Sequence, residues 1–283
     1  MTVVIAGCGD LGTEVGLRFA GLGYQVLGLR RNADLLPAAI TGQSVDLSRD
    51  KPVLPTDTSL VVVTIAAGRP TPEVYRSAYV DGLRNLLDAL DEAGATPLRV
   101  LLVSSTAVYD VNDASWVDER TAATPKPGTD AILLEAEQLL HERIPSATVF
   151  RLSGIYGPGR ERLITQVREG RASLSVPSRH TNRIHRDDAA SAIVHLLQRE
   201  PQPAPLYLGV DNAPVLMNEV VTFLAAELGL PTPPVDEDPA ESLRGGDKRL
   251  SNRLLLSTGF TFQFPSYAEG YRSLLAGEGT RHP

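Results

Sequence analysis

The sequence has only one cysteine, Cys8, among its 283 residues. A single thiol cannot form an intrachain disulfide, and we expect no thiolate metal site. The sequence also lacks a run of about 18 apolar residues, so no transmembrane helix is expected. Residues 1–6 lead directly into an apolar segment without a basic, cleavable leader. We therefore expect a cytoplasmic protein.

Positive charge is also in short supply. Lys and Arg number 27 against 34 Asp and Glu, which gives a formal net charge of −7. An acidic surface repels phosphate backbones, so nucleic acid is not the expected partner. The composition is 42% hydrophobic, enough for a full core. We expect one large α/β domain with a smaller appendage, or two domains, and a small-molecule substrate instead of a nucleic acid or a membrane.

Apolar segments of strand and helix type alternate through the first half of the chain. Strands are predicted at 3–6, 24–29, 60–65, 99–103 and 147–152, and helices at 11–22, 73–93 and about 131–142. This alternation predicts a doubly wound parallel sheet, the Rossmann fold. After residue 160 the pattern loosens into helices at 187–198 and 218–228 and a strand at 206–210.

The predicted domain division follows from this change in pattern. Residues 1–160 form a Rossmann dinucleotide-binding domain, and residues 161–283 form a smaller α/β substrate region or lid. Segments within about 182–212 return to the main sheet.

A glycine-rich turn follows the first predicted strand and opens the first predicted helix. It reads Gly7-Cys8-Gly9-Asp10-Leu11-Gly12, a G-x-G-x-x-G pattern. Gly7 permits the tight turn, Gly9 lets a pyrophosphate approach the backbone, and Gly12 allows close packing of helix and strand. The free N–H groups of the turn and the helix dipole favour a diphosphate. The alternative is a glycine-rich turn with a purely structural role.

Two arginines, Arg30 and Arg31, follow the second predicted strand. An NAD-specific site commonly carries an acidic residue near this position, which accepts a hydrogen bond from the ribose 2′-hydroxyl. Two guanidiniums suit a 2′-phosphate instead, so NADP(H) is preferred over NAD(H) as the expected cofactor. The alternative is a pair of solvated surface arginines. Asp46 and Leu47 follow a further short strand, which lies between the strands at 24–29 and 60–65. They have the spacing to flank the adenine.

Several blocks of sequence resemble one family of dehydrogenases. Besides the glycine turn, they are residues 64–68 (TIAAG), 103–109 (VSSTAVY), 117–119 (VDE), 151–159 (RLSGIYGPG) and 182–188 (NRIHRDD). In order and spacing they are similar to the extended short-chain dehydrogenases/reductases of the NAD-dependent epimerase/dehydratase family. Three blocks near the end, residues 248–252, 259–260 and 265–267, further resemble the C-terminal part of an atypical, YeeZ-like bacterial branch of that family.

The resemblance implies roles for particular residues. Ser105 corresponds to the family's catalytic Ser/Thr. The residues expected to contact the cofactor ribose, diphosphate or nicotinamide are Ala66, Ala67, Ser104, Leu152, Gly154 and Ile155. The resemblance also implies a homodimer formed through the helices at 73–93 and 131–142.

The Tyr-x-x-x-Lys dyad of the family is missing. The landmark at 135–140 (EAEQLL) places Thr129 where the tyrosine belongs and Leu133 where the lysine belongs. Neither side chain can replace the acid or the cation. Tyr109 and His185 are the candidate substitutes for proton transfer, His185 because its ordinary pKa suits acid–base work. The alternatives are that Tyr109 is a packing element and that His185 is a hydrogen-bonded brace.

Two functions remain open on this evidence. One is an NADP(H)-dependent oxidoreductase or epimerase with a degenerate active site, acting on a nucleotide sugar or another small carbonyl compound. The other is a non-catalytic NADP(H)-binding sensor or scaffold, favoured by loss of the dyad beside an intact glycine turn. No metal site is expected, because the acidic residues at 236–241 are typical of a solvated helix start.

Overall fold

The computed structural model describes residues 1–236 and 246–283. The acidic segment predicted to start a helix lies outside the described residues, apart from Asp236. Seven strands form the central sheet: β1 Thr2–Ala6, β2 Gln25–Arg30, β3 Thr41–Ser44, β4 Thr58–Val63, β5 Arg99–Ser105, β6 Thr148–Leu152 and β7 Leu206–Gly209.

The sheet is parallel throughout, with the strand order β7-β6-β5-β4-β1-β2-β3. At its centre Ala6 of β1 pairs with Leu29 on one side and Val63 on the other. The chain winds outward from β1 to β3 and then crosses back to β4, so the winding reverses between β1 and β4. The doubly wound Rossmann fold predicted from the sequence is confirmed. Ligands of such sheets bind at the carboxyl ends of the strands beside this reversal.

Nine helices, numbered in chain order, accompany the sheet in the described part of the chain. They are α1 Asp10–Gly21, α2 Pro72–Tyr75, α3 Gly82–Glu92, α4 Thr129–Arg143, α5 Arg162–Arg168, α6 Arg186–Gln198, α7 Met217–Glu227, α8 Arg253–Ser257 and α9 Tyr267–Leu275. The helix predicted at 73–93 is therefore divided. A π-helical turn, Arg76–Asp81, joins α2 to α3.

Short paired strands hold the loops above the sheet. Gly154–Tyr156 runs parallel to Arg183–His185, Trp116–Val117 to Arg249–Leu250, and Leu174–Ser175 to Val235–Asp236, while His180–Thr181 pairs antiparallel with Val215–Leu216. Single turns of 3₁₀ helix occur at Ala33–Leu35 and Thr106–Val108.

The two faces of the sheet are covered by different helices. Because side chains alternate along a strand, Val3 and Ile5 point to one face and Val4 points to the other. Phe19 of α1 joins Val3 and Ile5, whereas Leu83 of α3 joins Val4. All five side chains are buried. Each contributes about 1.5–3 kcal/mol to the free energy of unfolding, so the two layers fix the sheet on which the loops are mounted.

The region after residue 160 builds a smaller core of its own from α5, α7 and α9. Ile164, Leu224 and Tyr271 belong to this cluster, and Tyr156 joins it from the loop after β6. The same region also returns to the main fold, because α6 packs against α1 and β7 pairs with β6. The domain boundary at residue 160 stays a prediction. No helix in the described ranges has the length and apolar composition needed to cross a membrane.

Candidate functional site

A cleft of about 830 Å³ lies at the carboxyl ends of β1, β2, β4, β5 and β6. Its walls are the glycine turn after β1, residues 29–32 after β2, residues 45–48 after β3, residues 64–68 after β4, parts of 73–79, residues 103–105, Leu133, parts of 152–155, and Arg160. The cleft therefore spans the reversal between β1 and β4, where a doubly wound sheet binds its ligand.

The three glycines of the turn differ in what surrounds them. Gly7 has φ +83°, and a Cβ there would lie 2.7 Å from the Cα of Ile65. A Cβ at Gly12 would lie 2.7 Å from Oγ1 of Thr64, so α1 could not approach the sheet as closely. At Gly9 the nearest atom to such a Cβ is the carbonyl oxygen of Gly7, 3.9 Å away. Gly9 is thus the glycine whose missing side chain leaves open space in the cleft.

The start of α1 supplies the donors for this open space. The helix begins at Asp10, and its first intrahelical bond runs from Thr13 N–H to the carbonyl oxygen of Gly9, at 2.7 Å. The N–H groups of residues 10–12 have no intrahelical acceptor because they precede that bond. Free N–H groups and the positive end of the helix dipole bind anions. The turn therefore fits a dinucleotide diphosphate, both in shape and in charge.

Asp10 places a carboxylate beside this anion site, and two arginines neutralise it. Its Oδ1 accepts from Nη1 of Arg186 at 2.6 Å, and its Oδ2 accepts from Nε of Arg160 at 3.1 Å. The Arg186 side chain is only 1% exposed, whereas Arg160 lines the cleft. The main-chain N–H of His282 also donates to Oδ1 of Asp10. The carboxylate of Asp10 is therefore paired with two guanidiniums, one of which, Arg186, is shared with Asp187.

Arg30 and Arg31 both line one end of the cleft. Nη1 of Arg30 donates to the carbonyl oxygen of Pro283 at 2.8 Å. Asp46 lies at the same end, where its Oδ1 accepts from Oγ and N of Ser48 at 2.7 and 3.2 Å. These hydrogen bonds from Ser48 hold the pKa of Asp46 below its usual value. Two guanidiniums and one carboxylate therefore share this end.

Ser104, Ser105 and Leu133 line the opposite end of the cleft. Oγ of Ser105 accepts from the N–H of Ala107 at 3.2 Å, and its side chain is half-buried. Oγ of Ser104 donates to Oε1 of Glu137 at 2.5 Å. Leu133 lies one turn before Glu137 on α4 and is buried. The wall of the cleft is therefore apolar at Leu133.

The structure brings most of the predicted cofactor residues together. The following predicted residues line the cleft: Gly7, Gly9, Asp10, Leu11, Gly12, Arg30, Arg31, Asp46, Leu47, Ala66, Ala67, Ser104, Leu152 and Ile155. Gly154 does not line it, because its N–H is directed to the carbonyl oxygen of Asn182 in the neighbouring loop. Thr129 is also outside the lining, at the first residue of α4.

Tyr109, a candidate for proton transfer, does not line the cleft. Its side chain is 1% exposed, and its hydroxyl accepts from Nη1 of Arg151 at 2.6 Å. Arg151 is bound in turn to Glu137, through Nη2 and Oε2 at 2.6 Å. Burial raises the pKa of Tyr109 above its ordinary value. The hydrogen bond from Arg151 therefore holds the Tyr109 hydroxyl in the core, away from the cleft.

His185 also lies outside the cleft lining. It is the N-cap of α6, where its Nδ1 accepts from the N–H of Asp187 at 3.2 Å. Its ring packs against Phe264 at a centroid distance of 4.0 Å and is 2% exposed. Burial lowers the pKa of His185 to about 4, so the ring is neutral at pH 7. His185 therefore caps and positions the start of α6.

Arg160 and Tyr79 are among the lining residues that were not predicted from the sequence. Arg160 ends the segment 154–160 (GIYGPGR). An arginine so close to a family motif was a sequence signal for an anion contact. Tyr79 lies in the π-helical turn, where its hydroxyl accepts from the N–H of Ala67 at 3.5 Å. No sequence signal marks Tyr79, because helical periodicity does not reveal a single π turn.

The parallel sheet, the reversal of winding and the glycine turn together define a Rossmann-fold protein. The family model described as the NAD dependent epimerase/dehydratase family matches residues 3–209. That match covers most of the chain, and the protein belongs to the NAD-dependent epimerase/dehydratase family. A comparison with curated protein sequences gives no match.

Solved structures agree with this assignment. A protein of Methylobacillus flagellatus assigned as an NAD-dependent epimerase/dehydratase is 36% identical, with 98% of each chain covered and a TM-score of 0.78. A functionally unknown conserved protein of Silicibacter pomeroyi is 28% identical, with 99% of each chain covered and a TM-score of 0.82. The UDP-glucuronic acid 4-epimerase of Bacillus cereus, solved with UDP-glucuronic acid and NAD, shares the fold at 15% identity, with 96% of this chain and 97% of that chain covered and a TM-score of 0.80.

Proposed function

We propose that the protein binds NADP(H) in the cleft and uses it as an oxidoreductase or epimerase acting on a nucleotide sugar or another small carbonyl compound. The observation that carries the proposal is the open space at Gly9, which faces the free N–H groups of residues 10–12. The family supports a nicotinamide cofactor, and the Bacillus cereus 4-epimerase, solved with a UDP sugar, supports the substrate class.

The preference for NADP(H) over NAD(H) is proposed from Arg30 and Arg31. Both guanidiniums lie at the end of the cleft that follows β2, where a Rossmann site holds the adenosine ribose. A 2′-phosphate there would accept paired, charge-assisted hydrogen bonds. Asp46 opposes this preference, but its Oδ1 is already engaged by Ser48. The balance of two positive charges against one negative charge favours the extra phosphate.

Substrate chemistry is proposed at the end of the cleft that contains Ser105. The nicotinamide, when bound, would supply a hydride acceptor or donor. The hydroxyl of Ser105 would donate a hydrogen bond to the substrate oxygen, which orients the carbon that reacts. Leu133 offers no charge to this chemistry, and general acid–base assistance is typically worth about 10²–10⁴ in rate. We therefore expect slow turnover compared with enzymes that have the dyad.

A non-catalytic NADP(H) sensor or scaffold is the second candidate. It is favoured by the apolar wall at Leu133 and by the positions of Tyr109 and His185 outside the cleft.

We also propose that the chain belongs to the YeeZ-like branch without the dyad, and that it forms a homodimer through the helical segments at 73–93 and 131–142. The branch and the dimer rest on the resemblance of the sequence.

Calorimetric titration with NADPH tests the binding proposal through a matched pair of variants. Gly9→Ala should raise the Kd at least tenfold without loss of stability, because the new methyl fills the diphosphate space and φ at Gly9 is an allowed −91°. Gly21→Ala, at the other end of α1 with no neighbour within 4 Å, should leave the Kd unchanged. Equal affinities for Gly9→Ala and the unmodified protein would exclude this site.

Turnover separates the enzyme from the sensor. An oxidoreductase should oxidise NADPH as it reduces a member of a panel of nucleotide sugars and small carbonyl compounds. An epimerase, loaded with NADP+, should interconvert two sugars of the panel with no net change in the coenzyme. Ser105→Ala should slow either rate sharply. A sensor should bind NADPH and show no turnover across the panel.

A further inference from the structure

The π-helical turn Arg76–Asp81 brings three consecutive residues to the cleft. Ser77, Ala78 and Tyr79 all line it, while Val80 is buried in the core beneath. In a regular α-helix, successive side chains are rotated by about 100° around the axis. A π turn is wider and contains one more residue, so neighbouring side chains can line the same wall of the cleft. Such single π turns occur frequently at functional sites. The turn therefore has the geometry of a ligand-facing element.

Tyr79 is held firmly in this turn. Its ring is half-buried and packs against the cluster that contains Leu133 and Val108. Tyr75 lies beside it at a centroid distance of 5.1 Å. Its hydroxyl accepts from the N–H of Ala67, at 3.5 Å, in the loop after β4. The ring is fixed by these contacts, and its hydroxyl end is at the cleft.

The phenol hydrogen of Tyr79 is available to a ligand. Across residues 1–236 and 246–283 the hydroxyl has one hydrogen-bond partner, and toward that partner it is the acceptor. A phenol can donate one hydrogen bond as well as accept. A ligand oxygen in the cleft can therefore accept this hydrogen bond in exchange for water.

We propose that Tyr79 donates a hydrogen bond to the ribose of the nicotinamide half of the bound dinucleotide. This inference rests on the proposed function. The nicotinamide half is indicated because the π turn packs against α4, and Tyr79 contacts the two core clusters that contain Ile132 and Leu133 of that helix. Leu133 shares its end of the cleft with Ser105, whereas Arg30 and Arg31 lie at the other end.

The electrostatics suit a hydrogen-bond donor and not a base. Burial raises the pKa of Tyr79 above its ordinary value, and its neighbour Tyr75 adds to the effect. The phenol therefore keeps its proton at neutral pH. Tyr79 holds the ribose in position, and it does not take over the proton transfer of the missing dyad.

Titrations of two variants with two ligands test this inference. Tyr79→Phe removes the hydroxyl alone, and Tyr75→Phe makes the same change at the adjacent ring, which does not line the cleft. We expect Tyr79→Phe to weaken NADPH binding by about fivefold, the loss of one hydrogen bond. Binding of adenosine 2′,5′-bisphosphate, which has no nicotinamide half, should stay unchanged. Tyr75→Phe should bind both ligands as the unmodified protein does.

Three results would overturn the inference. Unchanged NADPH affinity in Tyr79→Phe would remove the ribose contact, and an equal loss for the bisphosphate would place the contact on the adenosine half. Both leave the proposed cofactor site intact, provided that the unmodified protein binds NADPH. If the unmodified protein binds neither ligand, the proposed function fails and the role of Tyr79 fails with it. A thermal melt of each variant separates misfolding from lost contact.

Discussion

Asp10 in the glycine turn and Arg186 at the start of α6 are joined by a 2.6 Å hydrogen bond between charged groups. The two residues are 176 positions apart in sequence, and the Arg186 side chain is 1% exposed. The same guanidinium reaches Asp187 through Nε and the carbonyl oxygen of Thr280 through Nη2. One buried cation therefore connects the glycine turn to the C-terminal half of the chain.

Removing that cation should destabilise the fold. Arg186→Gln leaves the carboxylates of Asp10 and Asp187 without their buried partner, and breaking such a pair costs about 3–5 kcal/mol. Urea unfolding should show a fall of that order in the free energy of unfolding. Arg84→Gln is the control, because Arg84 forms an exposed ion pair with Asp81 and should change the value by no more than about 1 kcal/mol. Equal effects would contradict the structural role of Arg186.

Arg160 should affect affinity and not stability. Its pair with Asp10 is 41% exposed on the arginine side, and its side chain lines the cleft beside the diphosphate position. Arg160→Gln should weaken NADPH binding several-fold and reduce the dependence of the Kd on salt, because one screened attraction is lost. Arg171→Gln, which breaks a surface ion pair with Glu169, should change neither. An unaltered salt dependence would count against a phosphate contact.

Arg30 and Arg31 should set the choice between the two coenzymes. In the double variant Arg30→Ser/Arg31→Ser, the Kd for NADPH should rise at least tenfold, because charge-assisted hydrogen bonds to the 2′-phosphate are lost. The Kd for NADH should change by less than about threefold. Arg49→Ser is a suitable control, since Arg49 is close to Asp46 but outside the cleft lining. If the unmodified protein bound NADH as tightly as NADPH, these arginines would have no such role.

Asp211 should make stability fall as the pH rises. Its carboxyl group is buried, and burial raises its pKa from 3.8 to about 7. Between those values the folded chain keeps a proton that the unfolded chain has released, so stability is lost as the pH rises. Asp211→Asn has no carboxyl group to ionise at this position, so its stability should not fall with pH for this reason. Urea unfolding at about pH 4.5 and about pH 6.5 should show the unmodified protein losing roughly 2 kcal/mol relative to Asp211→Asn. A constant difference between the two proteins would mean that Asp211 ionises normally.

Features encoded within a few residues were predictable from the sequence. The glycine turn was found because its three glycines, the preceding apolar strand and the following helix are adjacent in the chain. Arg30 and Arg31 were predicted to contact the cofactor because they follow the second strand of a Rossmann fold, where the residue that reads the ribose commonly lies. In both cases local sequence and the general geometry of a parallel sheet are sufficient.

Features that depend on distant partners were not predictable. For Tyr109, which follows Ser105 closely, the sequence left proton transfer and packing open, and Arg151, 42 residues away, holds its hydroxyl in the core. The charge at Asp10 is cancelled by Arg186, which no local pattern pairs with it. Tyr79 escaped notice because the π turn that turns it to the cleft arises from packing between the turn and α4. Tertiary contacts decide all three.

The edge strand β7 has a consequence for any fragment of this chain. Leu206–Gly209 pairs along the outer side of β6, so the N-terminal half by itself would leave the main-chain groups of Thr148–Leu152 that face β7 without partners, while those that face β5 stay paired. Uncovered strand edges recruit strands from other molecules. A fragment ending near residue 160 should therefore self-associate instead of acting as an autonomous coenzyme-binding module, and limited proteolysis should release no stable N-terminal core.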